Sequence, residues 1–184
     1  VDNLSRNKNI CEEITYLNHL PAKFPWKAIL PAPYTFVQLS ENRFYNNKTE
    51  LMFIYAKILR EEIQNLTKLG FKYVQLSDPA LVYRPTAMPA LREELEIIGE
   101  ALNIAVSGIP IKTCLQTYFG DFSKIMPEAL GFPVDHLGID LYETNIEKLK
   151  GYHIDKGVAL GLVDSRNSLV EDQAELVAVA KDLV

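Results

Sequence analysis

Polar side chains able to bind a small molecule follow several short apolar runs in this sequence. Arg166 could present a bidentate donor fork to a carboxylate or phosphate of an anionic ligand. Aspartates at similar positions would supply hydrogen-bond acceptors. We therefore predict a small-molecule site with no residue assigned to catalysis, and its candidate binding residues are Tyr34, Asp78, Tyr118, Asp121, Asp140, Asp164, Arg166 and Asn167.

A structural role is the alternative at several of these positions. Asp140 and Asp164 could cap helices or take part in ion pairs. The candidate basic partners are Arg166 and Lys112, and Arg166 would then belong to a buried ion pair instead of facing a ligand. The dipeptide Asp78-Pro79 could simply shape a turn. The residue types alone leave these alternatives open.

Apolar runs that alternate with helical patterns predict the elements that must position these side chains. The runs are continuous, which is typical of parallel strands covered on both faces. Strand followed by helix, repeated along the chain, predicts an α/β fold. The five predicted strands are residues 28–30, 73–76, 109–115, 136–139 and 158–163.

The helix after the first predicted strand has clear start and stop signals. Asn47 and Glu50 have capping-box spacing, and Gly70 stands where a helix should end. The apolar face between them is formed by Leu51, Ile54, Ile58, Ile63, Leu66 and Leu69. A weaker helical pattern lies at Ile10, Ile14 and Leu17.

A parallel α/β sheet is either open or closed into a barrel. Open sheets usually carry a glycine-rich phosphate turn after the first strand, and this sequence has none. In a barrel each strand end contributes to one shared site, which matches the pattern here, although Tyr118 and Phe119 could instead plug the barrel mouth. We predict a partial (β/α)8 TIM-type barrel of about five βα units over residues 28–184, after a polar, partly helical extension over residues 1–27.

Five units would leave two open sheet edges and an exposed apolar barrel interior. We therefore expect a homodimer or a stable complex with another chain. The first residue, Val1, suggests a trimmed or truncated chain.

Composition narrows the classes of partner and the cellular location. The net charge of −5 argues against nucleic acid and against an anionic membrane surface as the main partner. No apolar run reaches the length of a membrane span, and no signal-peptide pattern is present. Because the two cysteines do not suggest a disulfide framework, we expect a cytoplasmic location.

Four strand-end segments resemble the cobalamin-independent methionine synthase family, over about residues 28–184: Ala32-Pro33-Tyr34-Thr35-Phe36, Leu76-Ser77-Asp78-Pro79-Ala80-Leu81, Thr117-Tyr118-Phe119-Gly120-Asp121 and Gly161-Leu162-Val163-Asp164-Ser165-Arg166-Asn167. The resemblance implies a (β/α)8 barrel, in a family often built from two barrels. The carboxyl-terminal barrel holds zinc and homocysteine and transfers a methyl group from methyltetrahydrofolate. The last two segments are characteristic of the amino-terminal barrel, which lacks the metal and, as the resemblance implies, helps to bind folate and its glutamate tail.

Several positions depart from the catalytic barrel of that family. Gln116, Tyr118 and Asp140 stand where the resemblance places zinc ligands, and amide and phenol groups are poor substitutes for imidazole and thiolate. Arg166 replaces a histidine proposed as proton donor and cannot act as an acid near neutral pH. Ser77 replaces an acidic residue that is common to both barrels of the family and usually helps to hold a substrate amino group.

The resemblance therefore implies a methionine biosynthesis protein that binds folate or supports a separate catalytic barrel. Methyltetrahydrofolate is the candidate substrate, and no cofactor or zinc is expected in this chain. Two enzyme alternatives stay open: a methyltransferase of homocysteine S-methyltransferase type with a divergent site, and a barrel resembling uroporphyrinogen decarboxylase. A third alternative is a non-catalytic interaction module.

Overall fold

Five parallel strands form one sheet in the order β1-β2-β3-β4-β5. The computed structural model describes residues 1–6, 25–83 and 88–183 of the chain. The helical pattern at Ile10, Ile14 and Leu17 lies outside these residues. The strands are β1 (Lys27–Pro31), β2 (Tyr73–Ser77), β3 (Lys112–Gln116), β4 (His136–Asp140) and β5 (Gly157–Gly161). Each predicted strand is therefore present, with shifted ends.

Helical segments connect the strands, as a parallel sheet requires. The α-helices are α1 (Pro33–Gln38), α2 (Lys48–Lys68), α3 (Met88–Val106), α4 (Ile146–Leu149) and α5 (Gln173–Leu183). Short 3-10 helices cover Pro79–Leu81, Phe122–Ile125 and Glu128–Gly131. No helix in the described part of the chain is long and apolar enough to cross a membrane.

The capping signals of α2 are confirmed. The Asn47 side chain accepts the backbone N–H of Glu50 at 2.8 Å, and the Glu50 carboxylate accepts the backbone N–H of Asn46 at 3.0 Å. At the other end Gly70 has φ +93°, and the N–H of Phe71 reaches the carbonyl of Leu66 at 3.1 Å. This is a Schellman ending, and glycine is favoured there because other residues rarely adopt a positive φ.

One row of aliphatic side chains crosses the whole sheet on its helix-covered side. The register pairs Leu30 with Leu76, Leu76 with Leu115, Leu115 with Leu137, and Leu137 with Val158. The three central leucines are fully buried, and they share one apolar core with residues of α2 and α3. This row fixes which face of every strand meets the helices.

The opposite face of the sheet carries many polar side chains beside Ile29 and Cys114, so the barrel interior is less apolar than predicted. Exposure alternates along β1 and β2, which continuous burial on both faces would not give. Lys27 Nζ donates to Gln75 Oε1 at 2.8 Å, and Gln75 Nε2 donates to Ser77 Oγ at 3.2 Å. The polar side chains in these alternate positions are Lys27, Gln75, Ser77, Lys112, Gln116, His136 and Asp140.

Two strands differ from their predicted limits by two residues or more at one end. β3 begins at Lys112 instead of residue 109, because Gly108 has φ +74° and Ile109 still donates to the last turn of α3. β5 ends at Gly161 instead of residue 163, and Val163 is 67% exposed. The chain turns there because Leu162 donates to the Leu160 carbonyl at 3.1 Å.

Candidate functional site

A cavity of about 340 Å³ lies at the carboxyl ends of β3, β4 and β5. It brings together four predicted binding residues, namely Tyr118, Asp140, Asp164 and Arg166. Parallel strands place their carboxyl ends at one edge, which explains why residues so distant in sequence meet here. The full lining is Gln116, Tyr118, Phe119, Asp140, Tyr142, Gly161, Val163, Asp164, Ser165 and Arg166.

Asp140, the last residue of β4, holds two loops by hydrogen bonds. Its Oδ2 accepts the backbone N–H of Phe119 at 3.2 Å, and its Oδ1 accepts the backbone N–H of Tyr142 at 3.1 Å. A carboxylate has about four acceptor sites. Asp140 therefore organises the cavity and keeps acceptor capacity for a ligand.

Phe119 is held in an unusual backbone conformation at the rim of this cavity. Its φ is +67°, and its side chain is 54% exposed. The next residue must be glycine, because a Cβ atom on Gly120 would stand 2.4 Å from the carbonyl oxygen of Val82. The ring of Phe119 meets that of Tyr118 edge to face, with centroids 4.8 Å apart. The two rings thus form a fixed aromatic corner.

Arg166 is paired with carboxylates on two loops. Its Nε donates to Asp164 Oδ1 at 2.7 Å, and its Nη1 contacts the carboxylate of Glu143. The guanidinium also lies over the ring of Tyr142, at 5.7 Å from the centroid. This arrangement matches the ion-pair alternative, but the pair is at the surface instead of buried, since the Arg166 side chain is 45% exposed.

The cavity and its rim carry an excess of negative charge. Asp140 and Asp164 line the cavity, and Glu143 lies beside them on Arg166. The Arg166 guanidinium beside Asp164 holds the pKa of that carboxyl below its usual range, so the carboxyl stays charged. This charge favours a ligand group with N–H donors or positive charge over an anion.

The Asp164 loop is organised by its own side chains. Asn167 Nδ2 donates to Asp164 Oδ2 at 2.9 Å, while Asn167 Oδ1 accepts the backbone N–H of Leu169 at 2.8 Å. The backbone N–H of Asp164 donates to Glu171 Oε1 at 2.7 Å. Asn167 therefore supports the cavity loop without lining the cavity.

Asp121 and Tyr34 are not brought into this cavity. Asp121 accepts the backbone N–H groups of Ser123 at 3.0 Å and Asn145 at 3.2 Å. Partial burial raises the pKa of Asp121, but these hydrogen bonds outweigh it and leave the pKa below the usual range. Tyr34 is buried, and its hydroxyl donates to Glu94 Oε2 at 2.8 Å across to α3. Lys112 Nζ pairs with Asp135 Oδ1 at 2.6 Å, and not with Asp140 or Asp164, the partners that the sequence offered.

Asp78 is fully buried at the end of β2, apart from the cavity. Its Oδ1 accepts a hydrogen bond from Thr35 Oγ1 at 2.5 Å, while its Oδ2 has no hydrogen-bond partner among the described residues. Thr35 Oγ1 in turn accepts the N–H of Ala80 at 3.1 Å. Burial raises the pKa of Asp78 to about 7, although the hydrogen bond from Thr35 acts in the opposite direction and lowers it. The turn predicted at Asp78-Pro79 is confirmed as the start of a 3-10 helix.

A second, more apolar cavity of about 280 Å³ opens over the ends of β1 and β2. Its large side chains include Leu39, which is 83% exposed, and Tyr83, which is 68% exposed. The complete lining is Thr35, Gln38, Leu39, Pro79, Ala80, Tyr83 and Phe119.

The residues at the proposed zinc positions do not suit zinc. The Gln116 amide donates to the Thr117 carbonyl at 3.0 Å, Tyr118 supplies a phenol, and Asp140 already accepts two backbone N–H groups. Protein zinc sites are built from Cys thiolate, His imidazole and Asp or Glu carboxylate ligands, and of these three residues only Asp140 belongs to that group. Within residues 1–6, 25–83 and 88–183, no group of three or more His, Cys, Asp or Glu side chains could hold a metal ion.

Some residues of the site were missed from the sequence. Tyr142 and Ser165 line the cavity, and Glu143 and Glu171 anchor its loops. Tyr142 lies only two residues beyond Asp140, so proximity to a strand end was the available signal.

Parallel strands in sequential order, joined by helical segments and ending at a polar cavity, define a segment of a (β/α)8-type barrel protein. The family model described as "Cobalamin-independent synthase, N-terminal domain" matches residues 4–184. The chain therefore belongs to this family, and the predicted family resemblance is confirmed.

Curated relatives are named methionine synthase. The protein of Saccharolobus solfataricus is 33% identical over 181 residues, covering 97% of this chain and 52% of the relative. That of Sulfolobus acidocaldarius is 27% identical over 176 residues, covering 95% of this chain and 47% of the relative. The chain thus spans about half the length of these relatives.

Solved structures share the fold. A B12-independent methionine synthase from Shewanella sp. W3-18-1, in complex with selenomethionine, matches with a TM-score of 0.81 and 20% identity, covering 97% of this chain and 56% of that chain. A methyltransferase from Methanosarcina mazei matches with a TM-score of 0.65 and 12% identity, covering 90% of this chain and 51% of that chain. The predicted partial barrel is confirmed by the first match.

We predict that Asp78 makes the protein less stable as pH rises. Its pKa is about 7 in the folded state, against an ordinary value of 3.8, so between these pH values the folded chain holds a proton that the unfolded chain has released. The free energy of unfolding should fall across this window, and Asp78→Asn should reduce the fall, by on the order of a few kcal/mol in total.

Urea denaturation between pH 4 and pH 8 measures this effect, with the exposed Asp2→Asn as the matched control. A pH dependence that is identical in wild type and Asp78→Asn would contradict the prediction.

Proposed function

We propose that this chain acts in methionine biosynthesis as a ligand-binding barrel segment that assists a separate catalytic barrel and does not itself transfer a methyl group. The ligand proposed for its carboxyl-edge cavity is methyltetrahydrofolate. One observation carries the proposal. The family model matches residues 4–184, and in the cavity Gln116, Tyr118 and Asp140 occupy the positions where the family resemblance places zinc ligands.

The chemistry of the cavity supports a flat ligand with N–H donors. A reduced pteridine ring carries an amino group and ring N–H groups, which suit the remaining acceptor sites of Asp140. Phe119 and Tyr142 offer aromatic surfaces to such a ring. The anionic glutamate tail is less well matched, because Arg166 is already paired with Asp164 and Glu143.

A partner chain is part of the proposal. Within the described residues, β1 and β5 each pair with one neighbouring strand only, so their outer edges are open. Five strands are three short of an eight-stranded barrel. Open edges favour pairing with another chain. We infer that a catalytic barrel protein or a second copy of this chain covers them.

A cytoplasmic location is also part of the proposal. Cys114 is buried and carries a free thiol, which suits a reducing compartment.

We predict that the isolated chain binds 5-methyltetrahydrofolate but forms no methionine when homocysteine and zinc are supplied. Asp140→Asn should weaken binding by about tenfold, because the amide loses charge and one acceptor oxygen. Titration calorimetry measures binding, and an assay of methionine formation measures turnover.

The exposed Asp155→Asn, which is away from the cavity lining, is the control and should bind like wild type. Homocysteine-dependent turnover by this chain alone, or stoichiometric zinc in the purified protein, would overturn the division of labour proposed here.

We also predict that the chain does not remain a monomer in solution. Light scattering after size-exclusion chromatography should give the mass of a dimer, or co-elution when a catalytic barrel protein is added. A single species with the mass of one 184-residue chain, both alone and in the mixture, would contradict this prediction if it also melts cooperatively.

A further inference from the structure

The two cavities at the carboxyl edge lie side by side and share one lining residue. The acidic cavity covers the ends of β3, β4 and β5, and the apolar cavity covers the ends of β1 and β2. Phe119, which follows β3, lines both. Because the sheet order is β1 to β5, the cavities are adjacent along one edge with the Phe119 side chain between them.

The two cavities differ in chemistry. Asp140 and Asp164 give the first one its negative charge. Leu39, Pro79, Ala80 and Tyr83 give the second one apolar and aromatic walls. A single ligand that fills both must carry N–H donors at one end and an apolar ring beside them.

Phe119 is held in place between the cavities by the surrounding chain. Its backbone N–H is bound by Asp140, and Gly120 beside it packs closely against the Val82 carbonyl. A positive φ is unfavourable for an aromatic residue, and its side chain is nevertheless left 54% exposed. Folding alone gains little from such an exposed ring, whereas a flat ligand gains a stacking surface.

We propose that the two cavities form one bipartite site divided by Phe119. The acidic cavity takes a flat heterocyclic head with N–H donors, and the apolar cavity takes a second ring attached to that head. An anionic tail beyond the second ring points to solvent, because Arg166 is paired. This inference rests on the proposed function, in which a folate binds at the carboxyl edge.

Titration calorimetry on the full chain with two probes tests whether the two cavities bind different parts of one ligand. 5-Methyltetrahydrofolate carries the head, the second ring and the tail, whereas 6-methyltetrahydropterin carries the head alone. Leu39→Ser and, separately, Tyr83→Ser should each weaken binding of the folate by about tenfold and leave binding of the pterin unchanged. Asp140→Asn should weaken binding of both probes.

Leu69→Ser is the matched control, because Leu69 is also partly exposed but lies at the far end of α2 and lines neither cavity. It should bind both probes like wild type. If the folate binds but neither Leu39→Ser nor Tyr83→Ser weakens it, the bipartite site is wrong and the proposed function stands. If wild type binds neither probe, both the bipartite site and the proposed function are wrong.

Discussion

The in-register pairing of the five strands is the constraint on which the carboxyl-edge site depends. The row from Leu30 through Leu76, Leu115 and Leu137 to Val158 must face the helices together. A slip of one residue in any strand would turn the aliphatic side chain of this row away from the helices and put a residue of the opposite face in its place. Correct register therefore also aligns the strand ends, where the polar residues of the cavity begin.

Aspartates at these strand ends have a double role. Asp140, Asp121 and Asp164 each accept backbone N–H groups, so each fixes a loop that would otherwise have unsatisfied donors. Asp140 and Asp164 also line the cavity, so their carboxylates supply its negative charge. The same strand ends also bring Gln116, Tyr118 and Asp140 together at one edge of the sheet.

The sequence predicted the elements better than it predicted which residues meet. The caps of α2 at Asn47 and Gly70 were correct because they depend on local backbone geometry. The polar side chains on the open sheet face were missed because the predicted strands, 28–30 and 73–76, left out Lys27 and Ser77, and Ile29 interrupts the alternation in β1. Partners such as Arg166 and Glu143, separated by 23 residues, follow from loop geometry that the sequence pattern does not encode.

The sequence also predicted correctly for some candidate residues, and wrongly for others, that they meet in one cavity. Strand-end position correctly grouped Tyr118, Asp140, Asp164 and Arg166. It failed for Tyr34, because the turn into α1 directs that side chain towards α3, where it meets Glu94. Three-dimensional packing, not residue type, decides between these outcomes.

Hydrogen–deuterium exchange with and without 5-methyltetrahydrofolate tests most directly whether the carboxyl edge is the ligand site. Slower exchange is expected in the loops at residues 117–121, 140–144 and 162–167, with no change at the amino edge around residues 108–112 and 132–136. Protection confined to the amino edge, or no protection at a folate concentration that saturates the protein, would contradict the account.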